Sequence, residues 1–107
     1  MTDTLRQLKK GVTTLIVLDA LERTPLYGYG LRRETWQRTR GTFQFSEGAL
    51  YPLLHSLERR RWVKATRRDV AGRERRYYTI TPAGRRALAQ LRHDWQFLTW
   101  ALDRLTR

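Results

Sequence analysis

The sequence has no cysteine, so disulfide frameworks and thiolate metal sites are excluded. Its two histidines, His55 and His93, are too few and too far apart to hold a metal. No run of eighteen apolar residues occurs, so no membrane-spanning helix is expected. The opening "MTDTLRQLKKGVTTLIVLDALE" has the basic-then-apolar order of a secretion signal. Asp19 and Glu22 interrupt it and no small-residue cleavage pattern follows, so it reads as a helix of the mature chain in a cytoplasmic protein. Catalytic signatures are missing too. Ser46, His55 and Asp69 lack the spacing of a nucleophile elbow or triad, and the glycines form neither a P-loop nor a dinucleotide fingerprint. An enzyme and a bound cofactor are therefore not expected.

Negative charge is also scarce: ten Asp and Glu stand against 22 Lys and Arg, leaving +12. Lysine occurs only at Lys9, Lys10 and Lys64, so arginine carries almost all of the excess. The planar guanidinium suits phosphate oxygens and guanine edges. A chain of 107 residues with this balance is one domain with a modest core and a polyanionic partner, nucleic acid first.

Apolar residues Leu5, Leu8, Val12, Leu15, Ile16, Leu18 and Leu21 give a broad face on a first helix over about residues 4–22. Thr24 and Pro25 end it. A second helix is predicted from Tyr27 to about Arg38, with Tyr27, Leu31 and Trp36 inward. Gly28 and Gly30 at its start suggest close approach to another backbone. In "SEGALYPLLHSLERR", Ser46 is a good N-cap and Glu47 suits the positive helix end. Leu50, Leu54 and Leu57 line one face of this third helix, while Gly48, Tyr51, Pro52, His55 and Arg59 lie outside it. "WVKATRR" and "RRYYTIT" alternate with period two around Gly72, the pattern of a β-hairpin. Arg67, Arg68, Arg73, Arg75 and Arg76 crowd it. Thr81 and Pro82 start a last helix. Its Leu88, Leu91, Trp95, Leu98, Leu102 and Leu105 are spaced as a heptad seam, with Phe97, Trp100 and Ala101 widening it.

The expected fold is mainly α with a small β-hairpin (α+β): a winged helix-turn-helix plus a long C-terminal dimerisation helix. Residues 1–80 make the DNA-binding unit. Residues 81–107 make the dimerisation helix, compact with the first helix. The third helix enters a major groove and the hairpin, as a wing, meets the backbone. Candidate DNA-binding residues are Ser46, Gly48, Tyr51, His55, Arg59, Arg68, Arg73, Arg75 and Arg76. Candidate dimerisation residues are Leu5, Leu8, Val12, Leu88, Leu91, Trp95, Leu98, Leu102 and Leu105. A homodimer would bind a twofold-symmetric operator in duplex DNA. Two other readings stay open: an RNA-binding or ribosome-associated basic protein, and an interaction protein that uses the last helix on a different partner.

The stretches "LKKGVTTLIVLDAL", "LYGYGL", "FSEGALYPLLHSLERRRWV", "GRERRYYTITPAGRRAL" and "LRHDWQFLTWALDRL" together resemble the PadR-like transcriptional regulators. A single C-terminal helix matches the short subfamily. The resemblance implies a bacterial, homodimeric repressor. In some short members a tryptophan of the last helix stacks on a flat hydrophobic effector at the dimer interface. Trp95 stands at the matching position. Leu8, Leu15, Leu88, Leu91 and Thr99 would line the same space, making a small aromatic effector an expected partner.

Overall fold

The computed structural model describes residues 11–107. Gly11 and Val12 form a turn, and helix α1 runs Thr13–Arg23. The first helix expected from residue 4 is therefore described only from Thr13; Leu5 and Leu8 lie outside the described residues. Then follow β1 (Leu26–Tyr27), α2 (Gly28–Arg38), α3 (Glu47–Arg59), β2 (Val63–Val70), β3 (Arg73–Ile80) and α4 (Pro82–Leu105).

The third and fourth helices start where their caps predict. Ser46 Oγ accepts the Ala49 N–H at 3.2 Å, and Thr81 Oγ1 accepts the Gly84 N–H at 3.0 Å. Each satisfies a donor that the first helical turn leaves unpaired.

The two-stranded hairpin is corrected to a three-stranded antiparallel sheet of order β1-β3-β2. Leu26 pairs with Tyr78 and Tyr27 with Tyr77, so Tyr27 belongs to a strand and not to the second helix. Strands β2 and β3 pair from Val63–Ile80 to Val70–Arg73. Ala71 (φ 51°) and Gly72 (φ 77°) close them, both left-handed as a two-residue hairpin turn requires.

The core joins all these elements. Val17, Leu18 and Leu21 of α1 meet Leu31 of α2, Leu50, Leu54 and Leu57 of α3, Val63 and Tyr78 of the sheet, and Leu88 of α4. A fully buried leucine contributes about 1.5–3 kcal/mol. Trp36 is not inward: it is 50% exposed, and Thr35 takes the buried place. The Thr35 hydroxyl is satisfied there by donating to the Leu31 carbonyl at 2.8 Å. That local bond lets a small polar side chain occupy a buried place. Gly28 and Gly30 approach side chains rather than a backbone. A Cβ at Gly28 would stand 2.9 Å from Tyr51 Oη, and one at Gly30 would stand 3.4 Å from the Tyr27 ring.

Helix α4 is held to α1 by Arg92, which donates to Asp19 and, at 3.0 Å, to Glu22. These two carboxylates raise the Arg92 pKa. At 24 residues, α4 is about 36 Å long. Its C-terminal half, from Trp95 to Leu105, is largely exposed, apolar residues included, so α4 extends past the body it packs on. No helix among the described residues is long and apolar enough to cross a membrane.

Candidate nucleic-acid interface

Helix α3 buries its leucines and turns a polar stripe outward. Ser46, Gly48, Tyr51, His55 and Arg59 are all exposed. Gly48, Tyr51, His55 and Arg59 follow one another by three or four residues, so they share one side of the helix. Tyr51 is tied to α2 as well, because its ring lies over Gly28. Pro52 stands in this stripe without breaking the helix. It has no N–H to give the Gly48 carbonyl, which is left without its helical donor on the exposed side.

The hairpin's arginines divide between two faces. Pairing places Arg67 opposite Arg76 and Arg68 opposite Arg75. Arg76 shares the inward face with buried Tyr78 and reaches Glu58 of α3 at 3.0 Å. Arg67 bonds Glu74 across the strands at 3.2 Å. Arg68 and Arg75 stand on the outer face, over the rings of Tyr77 and Tyr27 at 4.7 and 4.4 Å. Arg73 is exposed beside the turn. Thus α3 and the wing offer two neighbouring basic surfaces, one tied to α3 through Glu58 and one facing away from it.

Beneath the first surface, Tyr78 Oη and Glu58 Oε1 are buried and without a hydrogen-bond partner. Burial pushes the Tyr78 phenol pKa up, and the nearby Arg76 charge opposes this.

The expected dimer seam separates into two parts. Leu88 is buried and Leu91 half-buried, whereas Trp95, Leu98, Leu102 and Leu105 are 42–79% exposed in the single chain. Val12 is half-buried. Phe97 and Trp100 do not widen this seam. At ~100° per residue they fall roughly 140–200° around α4 from Trp95, where their rings pair at 5.9 Å. The heptad spacing hid this, because a residue beside a seam position in sequence is turned about 100° from it and need not share its face.

A cavity of about 150 Å³ opens between α1 and α4, lined by Gly11, Val12, Leu15, Leu91, Asp94, Trp95 and Leu98. It gathers three of the expected effector residues, Leu15, Leu91 and Trp95. Leu88 lies in the core, and Thr99 belongs to a separate cleft with Gln96, Trp100 and Asp103. Leu8 lies outside the described residues. Among the described residues no cluster of metal-ligating side chains occurs.

Three helices, a basic β-wing and a long C-terminal helix define the winged helix-turn-helix class. The profile of the "Transcriptional regulator PadR-like family" matches residues 17–90. The Mycobacterium tuberculosis transcriptional regulator Rv3488 is 34% identical over 103 residues, covering 96% of this chain and 87% of its own. A PadR-like transcriptional regulator from Bacillus cereus superposes with a TM-score of 0.83 at 28% identity, covering 94% of this chain and 97% of its own. A PadR family transcriptional regulator from Eggerthella lenta gives a TM-score of 0.87 at 26% identity, covering 97% and 89%. The chain belongs to the PadR-like family of transcriptional regulators.

Proposed function

We propose that the protein is a sequence-specific, homodimeric repressor acting in the cytoplasm. In this reading α3 reads base edges and the wing grips phosphates. The observation that carries it is the exposed Gly48–Tyr51–His55–Arg59 stripe beside the arginine-rich wing. His55 can donate or accept at a base edge, and Tyr51 can meet a thymine methyl or a phosphate. Arg73 and Arg68 supply charge that carries no sequence information but much of the affinity.

The test is binding to the duplex upstream of the protein's own gene against a scrambled duplex, over a range of salt. The upstream duplex should bind at least roughly a thousandfold tighter at physiological salt. Arg73→Ala should weaken both and lower the salt slope by about 1. His55→Ala should instead change which bases are preferred. Equal affinity of the wild type for the two duplexes would overturn the proposal.

The half-open cavity at Trp95 supports effector release as part of the same reading. Its volume of about 150 Å³ is below the ~300 Å³ of a typical ligand pocket, as a site completed by a second copy would be. Asp94 at its rim favours a planar cation. Adding planar aromatic cations to the operator complex should release DNA from the wild type and not from Trp95→Ala. Equal release from both would remove Trp95 from the effector site.

A further inference from the structure

Beyond α3 and the wing tip, the outer face of the sheet carries an ordered ladder of rings and guanidiniums. Arg68 lies 4.7 Å from the Tyr77 ring, Tyr77 and Tyr27 pack at 5.3 Å with their rings tilted by 50°, and Arg75 covers Tyr27 at 4.4 Å. The ladder continues through Tyr29, 6.1 Å from Tyr27, to Arg32 of α2, 5.9 Å from the Tyr29 ring. It therefore crosses β2, β3 and β1 and ends on a helix.

Three features point to a polyanion on this face. First, Arg68 and Arg75 are directly opposite in register, and like charges so placed oppose pairing. Among the described residues neither forms an ion pair that would relieve this; the acid at the ladder, Glu47, pairs with Arg32 at 3.4 Å. Second, a guanidinium stacked on a ring keeps its edge N–H groups free for phosphate oxygens. Third, the rings hold these long side chains in place before any partner arrives, so less rotamer freedom is lost on binding.

Strand parity fixes where that partner lies. Tyr78 and Val63 on the opposite face are buried against the helices. The sheet part of the ladder, Arg68, Tyr77, Tyr27 and Arg75, thus lies on the side away from the helices, while its Arg32 end reaches Glu47 at the start of α3, so phosphates it meets run outward from the edge of the groove α3 enters.

We propose that the Arg68–Tyr77–Tyr27–Arg75 ladder, extended to Arg32, grips the phosphodiester backbone of duplex DNA flanking the operator half-site. Tyr27 and Tyr77 are its positioning residues. The proposal rests on the DNA-binding reading above and enlarges its footprint.

The experiment compares two operator duplexes, one trimmed to the half-sites and one carrying about ten further base pairs at each end. The full chain should bind the longer duplex roughly five- to twentyfold tighter at the same salt. Tyr27→Leu should abolish that advantage while lowering affinity for the trimmed duplex much less. Tyr27→Phe, which keeps the ring, should retain it. Arg32→Gln removes the α2 end of the ladder, a partly exposed side chain paired with Glu47, and should reduce the advantage and lower the salt slope on the longer duplex alone.

Equal wild-type affinity for the two duplexes would overturn the proposal and leave the repressor reading intact. So would an advantage that survives both Tyr27→Leu and Arg32→Gln, or loss of it in Tyr27→Phe. Tighter binding of the single-stranded flank than of the duplex would also overturn it, in favour of a stacking platform for unpaired bases. Absence of operator preference on both duplexes would instead strike the repressor reading itself.

Discussion

Among the described glycines, Gly84 stands closest to another stretch of backbone. A Cβ there would lie far inside contact with the Trp62 carbonyl and 2.8 Å from Ile80 Cγ1. The carbonyl cannot easily yield, since it accepts from the Thr81 N–H at 3.0 Å and the Thr81 hydroxyl at 3.1 Å. Gly84→Ala should therefore cost about 1–3 kcal/mol by denaturant unfolding, through sterics rather than φ. Tyr78 tests the opposite case, a buried hydroxyl with nothing to bond. Tyr78→Phe should be neutral or stabilising at pH 7, since no hydrogen bond is lost. The phenol's folded pKa is raised above its ordinary 10.0. Its contribution to stability is then complete below about pH 10. Above that the unfolded chain releases the proton first, and stability falls as pH rises. Unfolding curves at pH 10–11 should show a smaller fall for Tyr78→Phe than for the wild type. An identical fall would assign it to other groups.

At the level of elements, caps and periodicity carried much of the fold. Ser46, Thr81 and Pro82 mark helix starts by chemistry local to the chain, and the leucines of α3 identify its buried face from spacing alone. Strand β1 was not legible because two residues, Leu26 and Tyr27, give no period; they become a strand only when β3 lies beside them. Trp36 was misplaced because size and apolarity favoured it over Thr35, whose hydroxyl finds its partner one turn back on the same helix. The division of the wing arginines needed the register, which pairs Arg67 with Arg76 and Arg68 with Arg75. Pro52 was visible from the start, and its cost can now be located. It removes a helical bond to the Gly48 carbonyl within a helix that otherwise runs unbroken from Glu47 to Arg59. Pro52→Ala should restore that bond and stabilise the protein by about 1–3 kcal/mol in denaturant unfolding. No gain would mean that the first turn of α3 has already adapted to the ring.

For the whole molecule, two properties compete. A charge of +12 keeps copies apart in dilute salt, while the end of α4 presents Trp95, Leu98, Leu102 and Leu105 to solvent. The leucines at the core end of the same seam are covered by the domain itself, so what remains open is the part that extends past the body. A second copy placed about a twofold axis would cover it with the same residues, as a self-complementary interface demands. It would also bring two α3 helices to one face of a duplex, about 34–36 Å apart or a multiple of this. DNA affinity and assembly should then be linked. Leu102→Glu changes a side chain that is 45% exposed in the single chain, so folding should survive while a carboxylate enters the seam. Light scattering should show a wild-type dimer at micromolar concentration and a folded Leu102→Glu monomer. The monomer should bind a single half-site as the wild type does, because its stripe and wing are untouched. On a two-half-site operator it should lose roughly 10²–10⁴-fold, the gain that joining two binding units provides. A wild type that stays monomeric, or a Leu102→Glu variant that loses half-site and full-site affinity alike, would separate the seam from DNA binding.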